Sequence, residues 1–232
     1  MLQSINPANL EVLNTYQQMQ PSEVSEIIDL ANTAFENWRE TSYTHKSKLM
    51  MIAAEKKKKN SEDYSRLMTL EMGKPIAQSR AEVDKCASVC EYYAENAEKF
   101  LSDTFIETDA KKSFVSFQPL GVILAVMPWN FPFWQVFRFA APGLMAGNAG
   151  ILKHASNVSG CALAIEEVFR EAGFPENLFR TILVPSSQME EVIKNEKIRA
   201  VTLTGSVPAG KAVAKTAGSV LKKTVMELGG SD

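Results

Sequence analysis

Residues Gly205, Ser206, Val207, Pro208, Ala209, Gly210 and Lys211 form a short glycine-bounded turn between an apolar run and a helix-like stretch. A helix that opens there points free backbone N–H groups and the positive end of its dipole at whatever lies in front. Ser206 suits the N-cap, and Pro208 fits a first turn where its missing N–H is not needed. A phosphate ligand follows from this chemistry, and so does a capped helix start with no ligand. The spacing approximates the phosphate loop G-x-x-x-x-G-K-[ST] of nucleoside triphosphatases, but Ala212 stands where that loop needs a magnesium-binding hydroxyl. The dinucleotide fingerprint G-x-G-x-x-G is absent. Further polar and charged residues recur just after apolar runs: Pro128-Trp129-Asn130, Lys153-His154-Ala155-Ser156, Val184-Pro185 and Glu227-Leu228-Gly229-Gly230.

The elements that must position these residues fall into two parts. Over residues 1–110 the pattern is helical. Val24, Ile27, Ile28, Ala31, Ala34, Phe35 and Trp38 mark one helix face, and further helices are expected over 47–59, from the N-cap Ser61 to Gly73, and across Val83 to Leu101. Ser113 to Phe117 alternates like an exposed strand. From Pro119 onward, apolar runs at 122–126, 150–152, 180–184, 200–203 and 223–226 alternate with helix-like stretches near 133–146, 159–172, 187–195 and 208–218. That alternation predicts an α/β fold, a Rossmann-like doubly wound parallel sheet over 119–232. Ligands of such sheets bind beyond the carboxyl ends of the strands, where the polar clusters lie.

Bulk composition excludes several partners. A net charge of −2 gives no reason to expect nucleic acid, and the run Lys56 to Lys59 reads as a solvated helix face. The longest apolar run, Leu120 to Met127, is too short to span a bilayer, so no membrane partner is expected. No basic region precedes an apolar core at the N-terminus, which argues against a signal peptide. Cys86, Cys90 and Cys161 fit neither a disulfide framework nor a metal site. Cys86 and Cys90 are spaced as apolar filler on one helix, and a reduced, cytoplasmic protein is the expectation.

Taken together, the motifs resemble the aldehyde dehydrogenase superfamily along the whole chain. The resemblance rests on Pro119-Leu120-Gly121-Val122, Pro128-Trp129-Asn130-Phe131-Pro132, Gly205-Ser206-x-x-x-Gly210, Glu227-Leu228-Gly229-Gly230 and Leu70-Glu71-Met72-Gly73-Lys74-Pro75. Within that superfamily, Lys153 to Asn157, Gly160-Cys161 and the ending Glu227 to Asp232 look like the succinate-semialdehyde dehydrogenases. The resemblance implies NADP or NAD as cofactor and a small aldehyde as substrate. It implies Asn130 as a donor to the oxyanion formed when a thiolate attacks the aldehyde, and Glu227 as the base that activates water against the thioester. Trp129, Asn130, Lys153, Ser156, Gly205, Ser206, Gly210 and Leu228 become expected cofactor contacts. Many NAD-preferring relatives carry a carboxylate where Ser156 stands, so NADP should be tolerated. His154 replaces a proline common in the family.

Asn130, Trp134 and Arg138 are spaced i, i+4, i+8. If the helix reaches back to Asn130, they share a side, with Arg138 roughly 12 Å along the axis. Arg138, with Trp134 beside it, would then hold the carboxylate of a short semialdehyde whose carbonyl sits at Asn130. The family's nucleophilic cysteine comes a few dozen residues after the base, whereas this chain has five residues after Glu227. The expectation is therefore a cofactor domain without its catalytic domain, residues 111–118 being the start of an oligomerisation strand. Relatives are homo-oligomers in full length. A stand-alone nucleotide-binding or assembly module is the alternative.

Overall fold

A computed structural model describes residues 1–230; Ser231 and Asp232, the end of the last motif, lie outside the described residues. The first surprise is an antiparallel hairpin, β1 (Leu2–Ile5) and β2 (Val12–Tyr16), in the stretch expected to be helical. Its inward residues are Leu2 and Ser4, and β2 is largely exposed, so the apolar alternation that marks a strand is missing. Ser4 is buried because its hydroxyl donates to the Glu71 carboxylate.

Four helices follow. In α1 (Pro21–Trp38) the seven expected apolar positions are all buried, and the Gln20 N–H donates to Glu23 as in a capping box. The helix α2 (Tyr43–Lys59) is capped by Ser42. Asn60 precedes α3 (Ser61–Met72), so Ser61 is its first residue and not the expected cap. Gly73, at φ 77°, ends α3 in the left-handed conformation that glycine adopts at least cost. The longest helix is α4 (Ile76–Phe100), which carries Cys86 and Cys90 on its buried face.

Reading the lysine run as a solvated face is corrected at one position. The buried stripe of α2 runs Lys46, Leu49, Met50, Ala53, Ala54, Lys57, which is helical spacing. Lys57 continues that stripe and is fully buried, while Lys58 and Lys59 are exposed.

The short strands β3 (Thr104–Phe105) and β4 (Phe114–Val115) pair as an exposed antiparallel ribbon, so the strand expected over 113–117 has a partner within the chain. The sheet then begins: β5 (Val122–Met127), α5 (Trp134–Met145), β6 (Ala149–His154), α6 (Ser159–Glu171), β7 (Phe179–Thr181), α7 (Met189–Lys194), β8 (Ile198–Gly205), α8 (Val207–Ser219) and β9 (Lys223–Leu228). The five strands are parallel in the order β7-β6-β5-β8-β9, an α/β Rossmann-like sheet as expected. β7 stops earlier than its apolar run because the Leu183 carbonyl accepts from Met19 of the N-terminal segment. The chain winds outward from β5 to β7 and then returns to start again at β8. The switch point lies between the carboxyl ends of β5 and β8.

A run of aromatic rings ties the helical part to the sheet. Phe169 stands 5.2 Å from Phe137, 5.4 Å from Phe174 and 4.9 Å from Phe179, and Trp38 stands 5.4 Å from Phe174. The Trp38 indole N–H donates to the Leu144 carbonyl at 2.8 Å, which satisfies its one polar atom in the core. Among the described residues, no helix is long and apolar enough to cross a membrane.

Candidate active site

A groove of about 480 Å³ opens at the switch point. Trp129 and Asn130 line it from the loop after β5, Gly205 and Ser206 from the end of β8, Glu227 and Leu228 from the end of β9, and Arg138 from α5. Seven residues singled out in the sequence, ninety-nine positions apart at the extremes, thus share one wall. An apolar groove of about 500 Å³ adjoins it and shares Gln135, Arg138 and Glu227.

The loop carrying Asn130 is held from two sides. Glu82 of α4 is buried, and one of its oxygens accepts from the backbone N–H groups of Phe133 at 2.8 Å and Trp134 at 2.9 Å. It therefore caps the start of α5, where a carboxylate also meets the favourable end of the helix dipole. Lys74 pairs with Glu82 in the same buried spot, its ammonium 3.7 Å from the centroid of the Phe131 ring. From the other side, His154 Nδ1 accepts from the Ala155 N–H at 2.9 Å, which leaves the proton on Nε2 to donate to the Pro132 carbonyl at 2.8 Å. Burial pushes the His154 pKa down to about 4, so the ring is neutral at pH 7. The buried His154 ring thus holds the loop fixed.

α5 begins at Trp134 and does not reach back to Asn130, which corrects the helical-face argument. Arg138 and Asn130 nevertheless share the groove, because the loop folds Asn130 toward the sheet ends. Trp134 does not line it; its ring faces the Lys85 ammonium at 3.8 Å. Arg138 donates from Nη2 to Thr204 Oγ1 at 3.2 Å, and its Nη1 lies 3.6 Å from Glu227 Oε2.

On the other side of β8 lies a second hollow of about 330 Å³, lined by Lys153, Ser186, Ser187, Ala209, Ala212 and Thr216 among others. The helix α8 gives Ser206 to the first space and Ala209 to the second, so its N-terminus separates the two. An elongated ligand with a central anionic group fits that arrangement. The backbone donors are fewer than the sequence suggested. Pro208 has none, the Ala209 N–H goes to Ser206 Oγ at 3.4 Å, and the Gly210 N–H goes to the Ser206 carbonyl. Ser206 and Trp129 bring side-chain donors to this groove beside those of Asn130, Thr204 and Arg138. Burial lowers the Lys153 pKa. Ser156 is exposed on the turn after β6 and lines neither space. Gly210 lines neither space: a Cβ there would lie 2.5 Å from Leu228 Cδ2, so this glycine lets α8 pack on β9. Lys211 is exposed and off both walls, which removes the phosphate-loop alternative.

All three cysteines are buried, and none lines the groove. Burial pushes the thiol of Cys86 up to about 11 and that of Cys90 to about 12, and raises that of Cys161 well above its ordinary value. Inert thiols of this kind are packing residues. No cluster of three or more His, Cys, Asp or Glu able to hold a metal occurs among the described residues.

A parallel sheet with this strand order and a polar groove at its switch point defines a doubly wound α/β domain, a class that binds its ligands in that crevice. The aldehyde dehydrogenase family model matches residues 1–232, and the chain belongs to that family. It is 52% identical over 229 residues to a probable succinate-semialdehyde dehydrogenase [NADP(+)] of Synechocystis, covering 99% of this chain and 50% of the relative. A succinate-semialdehyde dehydrogenase [NADP(+)] of Mycobacterium leprae is 47% identical, with 99% and 51% covered. The crystal structure of succinic semialdehyde dehydrogenase from Streptococcus pyogenes in complex with NADP+ superposes with a TM-score of 0.97 at 36% identity, over 100% of this chain and 51% of that one. The chain thus spans about half the length of the curated relatives it matches.

Sequence reasoning missed Glu82 and gave no role to Lys74 or Thr204. Glu82 lies some fifty positions from the amides it caps, and no local pattern links them.

Proposed function

We propose that this chain is the cofactor-binding part of an enzyme that oxidises a short semialdehyde, succinate semialdehyde being the leading candidate, with NADP or NAD. One observation carries the reading: an amide, a carboxylate and a guanidinium, those of Asn130, Glu227 and Arg138, line one groove at the switch point. The printed names of the relatives support the substrate class and NADP.

The paired spaces flanking α8 suit a dinucleotide, with Ser206 and Trp129 along its middle and Lys153 in the second hollow near Ser156. A bound nicotinamide cofactor supplies the hydride acceptor. The Asn130 side-chain amide donates to the oxygen that gains charge as a thiolate attacks the aldehyde carbon. Glu227 takes a proton from the water that hydrolyses the resulting thioester. Arg138 holds the distal carboxylate through its planar fork of donors. Cys86, Cys90 and Cys161 are too buried to supply the thiolate, so the 232 residues alone should turn over no aldehyde. A module that binds nucleotide without catalysis would leave Arg138 facing the groove with no ligand to hold. The exposed β3–β4 ribbon, with Phe105 and Phe114, suits the oligomerisation role.

Calorimetric titration of the protein with NADP and then NAD tests the reading. Saturable binding, weakened by Ser206→Ala and by Lys153→Ala, is the expected result. A folded protein that binds neither cofactor would refute it.

A further inference from the structure

The guanidinium assigned to the substrate is already engaged. Arg138 is fixed at one nitrogen by the Thr204 hydroxyl, 3.2 Å away, and faces Glu227 with the other at 3.6 Å. Glu227 is the freer partner: its side chain is 54% exposed against 38% for Arg138, and two glycines follow one residue later. Its neighbour Leu228 anchors the strand by packing on Gly210, so the Glu227 side chain can swing while its backbone stays.

We propose that Glu227 is an internal competitor for the substrate's carboxylate, and that an arriving carboxylate displaces it from Arg138 and so releases it to act. This rests on the reading of Arg138 as the carboxylate site. A guanidinium can form two parallel bonds to only one carboxylate on a given edge, and Thr204 already uses part of its fork. An incoming carboxylate and Glu227 therefore exclude one another at Nη1. The consequence is selectivity beyond affinity. An uncharged aldehyde would leave Glu227 tied to Arg138, away from the water it must deprotonate. A semialdehyde with a carboxylate would free the base in the act of binding. No atom is transferred in this step; one ion pair replaces another.

The test is calorimetric titration with succinate of the wild-type protein and of Glu227→Gln, Glu227→Asp and Arg138→Gln variants, each checked for native circular dichroism. Removing an exposed internal pair should tighten succinate binding by about three- to fivefold in Glu227→Gln, the upper part of the range such pairs contribute. Glu227→Asp keeps the charge but shortens the reach by one methylene, and it should also bind more tightly than wild type. Equal affinity in wild type and both Glu227 variants would overturn the proposal while leaving Arg138 as the carboxylate site. Tightening in Glu227→Gln alone would overturn it too, since charge and not contact would then be the cause. Binding that survives Arg138→Gln, or no binding by any of the four proteins, would overturn both the proposal and the reading of Arg138.

Discussion

Replacing Lys57 by methionine should stabilise the protein. The Lys57 side chain is fully buried between α2, α4 and α5, and its Nζ has no hydrogen-bond partner among the described residues. The Phe137 ring centroid lies 3.5 Å from Nζ and that of Phe133 4.8 Å away. Two effects oppose each other. Cation–π attraction at a desolvated site is worth ~2 kcal/mol. Removing an ammonium from water costs several kcal/mol even after relaxation, roughly twice that attraction or more. Desolvation wins, and burial accordingly lowers the Lys57 pKa against the weaker opposing pull of Cys86, Cys90 and Glu82. Methionine has a similar shape and no polar hydrogen to satisfy. The expected gain at pH 7 is about 1–3 kcal/mol, the cost of one unsatisfied buried polar group. The gain must also depend on pH. An unfolded lysine titrates near ~10.4. Between its lowered folded value and that point, the unfolded chain holds a proton that the folded chain lacks. The Lys57 contribution to wild-type stability therefore rises with pH through this window, and the advantage of Lys57→Met shrinks. The thiols of Cys86 and Cys90, at about 11 and about 12 when folded, titrate near ~8.5 when unfolded and so lower stability with rising pH in both proteins, which leaves the difference between the two to report on Lys57. Urea denaturation followed by tryptophan fluorescence, at both pH values and with unchanged m, measures the difference. A variant less stable than wild type, or a gain that is no smaller at pH 10, would refute the reasoning.

Three further predictions concern the groove and its supports. Glu82→Gln leaves Lys74 buried without its anion and should cost about 3–5 kcal/mol, whereas adding Lys74→Met should recover most of it; a double-mutant cycle in urea that finds no coupling would contradict the pairing. His154 folds neutral, with its pKa lowered from 6.5 to about 4, so its contribution to stability is intact above 6.5 and is lost as pH falls through 4. The loss amounts to about 3 kcal/mol, and His154→Gln, which cannot titrate, should flatten the stability profile by that much between pH 6.5 and 4; an unchanged slope counts against the neutral ring. Ser156→Glu should shift cofactor preference toward NAD, because a carboxylate repels a 2′-phosphate; an unaltered ratio of NADP to NAD dissociation constants by calorimetry would remove Ser156 from the ribose contacts.

Much of the architecture was legible before any coordinates. The apolar stripe from Val24 to Trp38, with its period of 3.6, and the short apolar runs that alternate with helices after Pro119 are local patterns, and each can be read from a dozen or so residues. The N-cap role of Ser206 was equally local. So were the motifs that marked Asn130 and Glu227, since a turn at a strand end is encoded by the residues in it. The hairpin Leu2 to Tyr16 was not legible, because its inward Ser4 is buried by a partner 67 residues away rather than by hydrophobicity. Lys57 followed the helical period of α2, but its charge hid it inside a run that looked solvated. What only the tertiary structure decided is the set of long-range pairings. Glu82 and His154 clamp the Asn130 loop, Gly210 yields its space to Leu228, and Arg138 is held between Thr204 and Glu227. Each joins residues at least eighteen positions apart. A pattern along the chain reports what each residue prefers locally, while a hydrogen bond or ion pair between distant residues exists only once the sheet and its helices have packed.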